Sequence, residues 1–414
     1  MTDYFTDSFF TGNRERLLSD THAKLIVISA NGLLQRSADT TFPFRQDSNF
    51  WYLTGVEEPD FLLVMTPEET FLIAPKRDDH RDQWDGAIDK SGIKDRSGID
   101  RLYEHHEGWS KLDRLLKTHK KVHTITPAEA YLEHFGFYAN PARGVLLTAL
   151  AKHRKLETVD IRKSIARLRQ IKQDPELHAL QKAIDITGKG LQAVIKKLSR
   201  YKSEHEIVAD LTREFIRHGA TGHAYQPIVA GGRNAATIHY IKNNQPLNQG
   251  DLVLMDIGAE VMNYSADITR TYAPGRPTKR QRDVAKAVEF VHNESLQLLK
   301  PGTDMKQYEQ QVDAIMAREL KKLHLIDDIS DKRQLKKYYP HLTSHFLGLD
   351  THDAADYTMP LAPGMVLTVE PGIYIPEESI GYRLEDDVLI TEKGAQVLSA
   401  ALPGAIDSPT IDSK

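Results

Sequence analysis

The chain of 414 residues contains no cysteine. This absence excludes a disulfide framework, thiolate metal ligands and a cysteine nucleophile, and it fits a reducing compartment. An apolar run of the roughly 18 residues that cross a bilayer is also missing. The N-terminal stretch MTDYFTDSFFTGNRER has neither the basic nor the apolar region of a signal peptide. We therefore predict a cytoplasmic protein that does not associate with membranes.

An excess of positive charge is missing as well, because 54 Lys and Arg residues face 58 Asp and Glu residues and the net charge is −4. Nucleic acids and anionic membranes require a concentrated basic face, so we expect neither as a partner. The hydrophobic share of 40% and the charged share of 27% are typical of a globular protein. The length predicts two or three domains.

Two regions of the chain differ in their pattern. Up to about residue 150, short apolar runs such as KLIVISANG (24–32) alternate with charged helical segments, which is typical of an α/β domain. The following segment is strongly helical, and we place the domains at 1–165 and 166–414. The larger domain is predicted as α+β, with helices at about 204–219, 278–299 and 303–323 and strands near 226–230, 251–258, 264–273, 365–375 and 382–391.

The stretch MDIGAEVMNYSADITRT (255–271) has the composition of a strand pair but carries Asp256 and Asp267. Strand interiors are depleted in aspartate. A turn centred near Val261–Met262 would place the two residues opposite one another, with Cβ atoms about 5 Å apart. Two such carboxylates repel unless a cation lies between them. The alternative, in which each Asp caps a strand end and binds turn amides, stays open at this point.

Three further stretches carry unusual polar residues. Glu370 ends the strand-like run in TVEPGIYIP (368–376), and Arg383 and Glu385 lie two apart, on one face of a strand, in GYRLEDDVLIT (381–391). The segment HLTSHFLGLDTHD (341–353) contains three histidines, of which His345 is central. Each residue alone is more often structural or solvent-facing, but their number within one region favours a common functional site.

These stretches resemble the pita-bread metallopeptidases, a family that includes methionine aminopeptidase, prolidase and aminopeptidase P. The segments MDIGAE, YSADITRT, SHFLGLDTHD, VEPGIY and YRLEDD match as extended motifs. The segment FPFRQDSNFWYLTGVEEPDFLLVM (42–65) is similar to the N-terminal domain of aminopeptidase P and prolidase, and the resemblance is greatest to aminopeptidase P. It implies a catalytic domain built on a curved, mostly antiparallel sheet flanked by helices, preceded by a smaller α/β domain. Leu342 and Thr351 depart from the family pattern, outside the ligand positions.

The resemblance implies a centre of two divalent metal ions. Its ligands would be Asp256, Asp267, His345, Glu370 and Glu385. Four carboxylates balance the charge of two such ions, and a mostly oxygen donor set favours Mn²⁺, with Co²⁺ or Zn²⁺ able to substitute. In this family a hydroxide that bridges the two ions attacks the scissile carbonyl.

The resemblance also implies roles for residues around the metals. Glu370 would transfer a proton to the leaving amine, and Arg383 would hold nearby ligands. His239 and His352 would contact the substrate or the tetrahedral intermediate, which makes these four the candidate catalytic residues. The candidate substrate-binding residues are His239, His341, His352, Arg383 and Trp84. Ordinary packing for His239 and Trp84, and a surface ion pair for Arg383, stay open as alternatives.

Trp84 belongs to a stretch that, in aminopeptidase P, reaches the site of a neighbouring subunit. The resemblance therefore implies a homo-oligomer, either a dimer or a tetramer.

The sequence leaves three candidate functions for the protein. The first is a metallo-aminopeptidase that removes the residue before a proline, the second is a prolidase that cuts Xaa-Pro dipeptides, and the third is a non-catalytic binding protein. The third predicts lost ligands, whereas all five are present.

Overall fold

The computed structural model describes residues 4–126, 136, 139–404 and 406–407. The chain divides into two compact units, Met1–Arg169 and Gln170–Lys414. Within the described residues, no helix combines the length and the apolar character needed to cross a bilayer.

The first unit contains a six-stranded sheet in which most neighbouring strands are parallel. The exception is Leu62–Met65, which runs antiparallel to both of its neighbours. Val27 and Val64 of the sheet and Leu112 of a covering helix are fully buried in one apolar cluster, so the predicted α/β character is confirmed. The helices are Asp7–Thr21, Ser48–Thr54, Asp79–Asp85, Lys90–Ser97, His105–Thr118, Pro141–Ala151 and Arg162–Gln170. The strands are Ile26–Ser29, Gln35–Ser37, Thr40–Thr41, Leu62–Met65, Thr70–Ile73, Leu102–Tyr103, Lys121–Thr124 and Glu157–Asp160.

The second unit combines long helices with several short sheets, in which the pairings are antiparallel except for that of Ile406–Asp407. Its α-helices are Asp174–Ile195, Glu204–Arg217, Lys279–Leu298, Met305–Lys322 and Lys332–Tyr338, and its 3-10 turns are Leu198–Arg200, Gly232–Ala236 and Pro376–Glu378. Its strands are Gly222–His223, Ile228–Gly231, Val253–Ile257, Ala259–Val261, Tyr264–Ser265, Ile268–Ala273, Val366–Val369, Gly372–Ile375, Ile380–Arg383, Asp386–Thr391, Gly394–Val397 and Ile406–Asp407. The expected helices and the strands expected near 226–230 and 251–258 are confirmed with shifted ends. The strands expected at 264–273, 365–375 and 382–391 are each divided into two.

The first two long helices of this unit, Asp174–Ile195 and Glu204–Arg217, pack against each other. Leu180, Ile184 and Leu191 repeat at helical spacing and are buried. Gly190 lies against the neighbouring helix, where a Cβ atom would come 2.7 Å from the ring of Phe215. Buried residues of both helices share one apolar cluster with Val253, Met255 and Ile257, so the helices cover one side of the strand that carries Asp256.

The hairpin that contains Asp256 and Asp267 has a different register from the one predicted. Met262 and Asn263 both have positive φ, 51° and 66°, as the favoured two-residue hairpin turns require. The turn is therefore centred one residue later than expected, and Asp256 pairs with Thr269 instead of Asp267. The prediction of directly opposed aspartates is wrong, and the two lie diagonally across the hairpin.

Candidate active site

Asp256 and Asp267 nevertheless approach each other, because one tyrosine hydroxyl contacts both. Asp256 lies in the strand Val253–Ile257, and Asp267 directly precedes the strand Ile268–Ala273. The Tyr225 hydroxyl lies 2.6 Å from Asp256 Oδ1 and 2.6 Å from Asp267 Oδ1. A hydroxyl has one hydrogen, so it donates to only one of these oxygens fully at a time. Sequence reasoning missed Tyr225, since nothing in its local sequence indicates a contact with either carboxylate.

His345 and Glu370 come from neighbouring segments joined by backbone hydrogen bonds. Thr368 N donates to His345 O at 2.9 Å, and Glu370 N donates to Thr343 O at 2.8 Å. This pairing directs both side chains towards Asp267. His345 Nε2 lies 3.4 Å from Asp267 Oδ2 and 3.4 Å from Glu370 Oε1.

Glu385 reaches the same place from the turn between the strands Ile380–Arg383 and Asp386–Thr391. Its backbone N donates to Thr269 O at 3.1 Å, and the Thr269 hydroxyl donates to Glu385 Oε2 at 2.6 Å. One ligand atom each from Asp267, His345 and Glu385 lies within 4.8 Å of the others. Glu370 joins this group through its 3.4 Å contact with His345, and Asp256 joins it through the tyrosine hydroxyl that it shares with Asp267. The fold therefore brings the five predicted metal ligands together.

The charges of this cluster are poorly balanced without a cation. Burial raises the pKa of Glu370 to about 8 against the favourable charges of His345 and Arg383. Burial, followed by the charges of Asp267 and Glu370, raises the pKa of Glu385 well above its usual value. Burial alone would lower the pKa of His345, but its hydrogen bond to Asp267 and the two neighbouring carboxylates raise it to about 9. Burial, together with the neighbouring carboxylates, thus favours the protonated forms of Glu370 and Glu385.

This donor set fits divalent metal ions. Four carboxylates and one imidazole offer hard oxygen atoms and one nitrogen atom. The Arg383 guanidinium binds the Asp256 carboxylate, and one such positive charge cannot balance four carboxylates. Divalent cations would replace the protons and supply the positive charge that buried carboxylates require. Imidazole and carboxylates bind metal in their deprotonated forms, so ion binding would release protons.

Arg383 is buried, with 2% of its surface exposed, and holds three partners. Its Nη2 donates to Asp256 Oδ2 at 2.6 Å, its Nη1 to the Tyr374 hydroxyl at 2.8 Å, and its Nε to the Thr269 hydroxyl at 3.0 Å. The alternative of a surface ion pair is therefore wrong, because both Arg383 and its partners are shielded from solvent. Arg383 fixes Asp256 and links it to Tyr374.

Three histidines lie around the cluster. His341 Nε2 is 2.8 Å from the Tyr374 hydroxyl, and burial followed by the charge of Arg383 lowers the pKa of His341 to about 3. The His352 ring lies 4.3 Å from the ring of His345, and burial followed by the His345 charge lowers the pKa of His352 to about 4. His239 is exposed, and its charge acts on the pKa of both His341 and His352.

Trp84 lies in the first unit, on the helix Asp79–Asp85, and 78% of its surface is exposed. Its ring is 5.8 Å from that of His80. The alternative of a core tryptophan is therefore wrong, whereas its contact with substrate in a neighbouring subunit stays a prediction.

Two family models match the chain. Residues 178–392 match metallopeptidase family M24, and residues 10–124 match the aminopeptidase P N-terminal domain. The first match covers every candidate metal ligand, and the second covers the α/β sheet except its last strand.

Individual relatives cover nearly the whole chain. The Xaa-Pro aminopeptidase of Haemophilus influenzae is 33% identical, over 90% of this chain and 89% of that protein. The mitochondrial intermediate cleaving peptidase 55 of Arabidopsis thaliana is 30% identical, over 96% of this chain and 81% of that protein. Aminopeptidase P from Escherichia coli, solved with the inhibitor Pro-Leu, superimposes with a TM-score of 0.86 at 30% identity, over 97% of this chain and 96% of that chain. The pita-bread fold and the N-terminal domain predicted from sequence are thereby confirmed.

Proposed function

Because the chain belongs to metallopeptidase family M24, we propose that it is a metallo-aminopeptidase that hydrolyses the bond between an N-terminal residue and a following proline. The observation that carries this proposal is the convergence of Asp256, Asp267, His345, Glu370 and Glu385 in one buried cluster. The intact cluster argues against a non-catalytic binding protein. The relatives named as Xaa-Pro aminopeptidases favour this activity over that of a prolidase.

We propose that the five residues hold two divalent ions, with Mn²⁺ as the native metal. Bound there, the ions would polarise the scissile carbonyl and lower the pKa of a water molecule towards neutrality. The chain itself supplies the ligands and the charges that fix them. Arg383 binds and orients Asp256, and Tyr225 holds Asp256 and Asp267 side by side.

Glu370 is the residue we propose for proton transfer to the leaving amine. Its carboxyl lies 3.4 Å from His345 Nε2, within the ligand cluster. A carboxylate within hydrogen-bond reach of the reacting groups can accept a proton from the nucleophile and pass it to the leaving amine. His352 and His341 stay neutral near pH 7, since their pKa values are lowered to about 4 and about 3. Neutral imidazoles next to the cluster would bind a peptide by hydrogen bonds without repelling metal ions.

One assay tests this function. The protein is stripped with a chelator, reloaded with Mn²⁺, and offered an Xaa-Pro-Xaa tripeptide and an Xaa-Pro dipeptide in parallel. We expect release of the first residue of the tripeptide, and no release from protein kept free of metal. Cleavage of the dipeptide alone would identify a prolidase instead, and cleavage of neither would contradict an enzymatic role.

The Asp267→Asn variant tests the metal cluster in the same assay. It replaces one metal-binding carboxylate by a neutral amide of the same shape, so we expect loss of bound Mn²⁺ and of turnover while the fold is retained. The matched control is Asp283→Asn, which removes a carboxylate from an exposed pair with Lys279. Unchanged turnover of Asp267→Asn would contradict the assignment of the cluster.

We also propose that the enzyme is a cytoplasmic homo-oligomer in which Trp84 reaches the site of a neighbouring subunit. Its exposure of 78% leaves the indole accessible to another subunit. The absence of a bilayer-crossing helix among the described residues is compatible with the cytoplasm. The Arabidopsis relative is named as mitochondrial, so fractionation of the source cells is the test of the compartment.

A further inference from the structure

Glu204 is a buried carboxylate that the proposed mechanism does not use. It is the first residue of the helix Glu204–Arg217, and none of its surface is exposed. A carboxylate is favourable at a helix N-terminus, but burial of a charge requires hydrogen bonds as well. Glu204 obtains four of them, and all four come from a single segment, residues 231–245.

The four donors divide evenly between the two carboxylate oxygens. Oε1 accepts from Gly231 N at 3.0 Å and from Asn234 Nδ2 at 2.9 Å. Oε2 accepts from the Tyr240 hydroxyl at 2.9 Å and from Gln245 N at 2.9 Å. The Glu204 backbone N also donates to Gln245 O at 3.1 Å. One side chain thus holds both ends and the middle of this segment.

His239 lies inside the segment that Glu204 holds. Its neighbour Tyr240 is bound to Glu204 through its hydroxyl, and its other neighbour, Ile238, packs against the small apolar cluster that contains Tyr374. The backbone of His239 is therefore held on both sides, whereas its imidazole is exposed. Because Tyr374 also binds His341 and Arg383, this packing links His239 to the candidate active site.

We infer that Glu204 is a positioning residue, which fixes the segment 231–245 and thereby sets the place of the His239 imidazole beside the metal cluster. This inference rests on the proposed function, in which His239 contacts the peptide substrate. A misplacement of about 1 Å at such a contact lowers the rate roughly 100-fold. Glu204 touches neither substrate nor metal, so its effect on turnover passes through His239.

The test is a double-mutant cycle with Glu204→Gln and His239→Ala, assayed on an Xaa-Pro-Xaa tripeptide with Mn²⁺. The amide keeps the shape of the carboxylate but offers only one oxygen to four donors, so we expect kcat/KM to fall about 10-fold to 100-fold. In the His239→Ala background, the same change should alter kcat/KM less than about two-fold, because residues that act as one unit are not additive. Independent, multiplicative losses would overturn the inference.

Two further measurements separate positioning from general damage. The Mn²⁺ affinity of Glu204→Gln should match that of the wild type within about two-fold, because the four donors to Glu204 include none of the five candidate metal ligands, whereas an unfolded or distorted domain would lose metal. Tyr240→Phe removes one of the four hydrogen bonds and keeps the ring, so it should give a smaller loss in the same direction even if changes at Glu204 impair folding. The control is Glu206→Gln, since Glu206 lies on the same helix and accepts a hydrogen bond from Lys202 N of the preceding loop instead of from the segment 231–245. We expect it to leave kcat/KM unchanged.

Hydrogen exchange tests the structural part without any assay of activity. Amides of residues 231–245 should exchange faster in Glu204→Gln than in the wild type or in Glu206→Gln. Equal exchange would show that Glu204 does not fix the segment and would overturn the inference. If the wild type cleaved neither peptide, the proposed function would be wrong, and the inference that depends on it would be wrong with it, whatever the exchange showed.

Discussion

Lys172 and Asp353 form an ion pair that is closed to solvent. Lys172 Nζ lies 2.8 Å from Asp353 Oδ2, and the two side chains are 0% and 1% exposed. The segment 345–353 contains Asp353 and also packs against the pair through Gly348, since a Cβ atom on Gly348 would lie 2.3 Å from Asp353 Oδ2. Because that segment carries His345 and His352, the pair anchors two residues of the candidate active site.

Lys172→Met should destabilise the protein strongly. Removing one partner of a buried pair leaves an uncompensated charge, which costs about 3–5 kcal/mol of the free energy of unfolding. Urea unfolding of the metal-free protein measures this loss. Lys279→Met is the control, because Lys279 is 86% exposed in its pair with Asp283 and exposed pairs contribute about 0–1 kcal/mol. Equal effects of the two variants would mean that the buried pair has no special role.

Tyr225→Phe should weaken metal binding while the fold persists. The variant removes the hydroxyl that holds Asp256 and Asp267 together, and partners of metal ligands typically contribute about 10–100-fold to affinity. Calorimetric titration of the chelator-treated protein with Mn²⁺ measures the change. Tyr201→Phe is a matched control, since the Tyr201 hydroxyl also donates to an aspartate, Asp210, at 2.6 Å. A wild-type affinity in Tyr225→Phe would contradict the role assigned to this hydroxyl.

Gly258→Ala should disrupt the hairpin that carries the two aspartates. A Cβ atom at this position would lie 1.8 Å from Ala266 O, a backbone atom that cannot move without separating the strands. Overpacking costs typically about 1–3 kcal/mol, and this contact is with backbone, so we expect a loss at or above that range together with weaker Mn²⁺ binding. Thermal unfolding with and without Mn²⁺ measures both effects. Gly275→Ala meets no atom within 4 Å and serves as the control.

The five candidate metal ligands could be proposed from sequence because each lies in a short motif whose residues are close along the chain. The register of the hairpin and the hydrogen-bond partners of Tyr225 and Glu204 could not be predicted in this way. The turn lies one residue later than predicted because Met262 and Asn263 both adopt positive φ. A local pattern does not show which pair of residues will do so. Tyr225 and Glu204 have ordinary local sequences, and their roles come from contacts with residues 27 or more positions away.

His223 supplies a pH dependence of stability that is independent of the metal cluster. The Thr212 hydroxyl donates to Val208 O at 2.8 Å, because a carbonyl oxygen can only accept. The same hydroxyl oxygen lies 2.8 Å from His223 Nε2, so it accepts a hydrogen bond from that nitrogen. His223 Nδ1 is buried and, within the described residues, has no hydrogen-bond partner. Burial accordingly lowers the pKa of His223 to about 4. Protonation of Nδ1 would therefore create a positive charge and a buried N–H group without a hydrogen-bond acceptor among the described residues.

The unfolded chain, with a histidine pKa of about 6.5, binds more protons than the folded protein between about pH 6.5 and pH 4. His223 therefore makes the protein less stable as the pH falls through this window, and this loss is absent above it. Between pH 7 and pH 5, we expect the wild type to lose about 1–2 kcal/mol more free energy of unfolding than His223→Gln, which stays neutral. Other titrating groups are common to both proteins and cancel in this comparison. Urea unfolding at the two pH values measures the difference, with exposed His205→Gln as the control. Equal losses of free energy in the wild type and in His223→Gln would contradict this prediction, because they would mean that the pKa of His223 in the folded protein equals that of an exposed histidine.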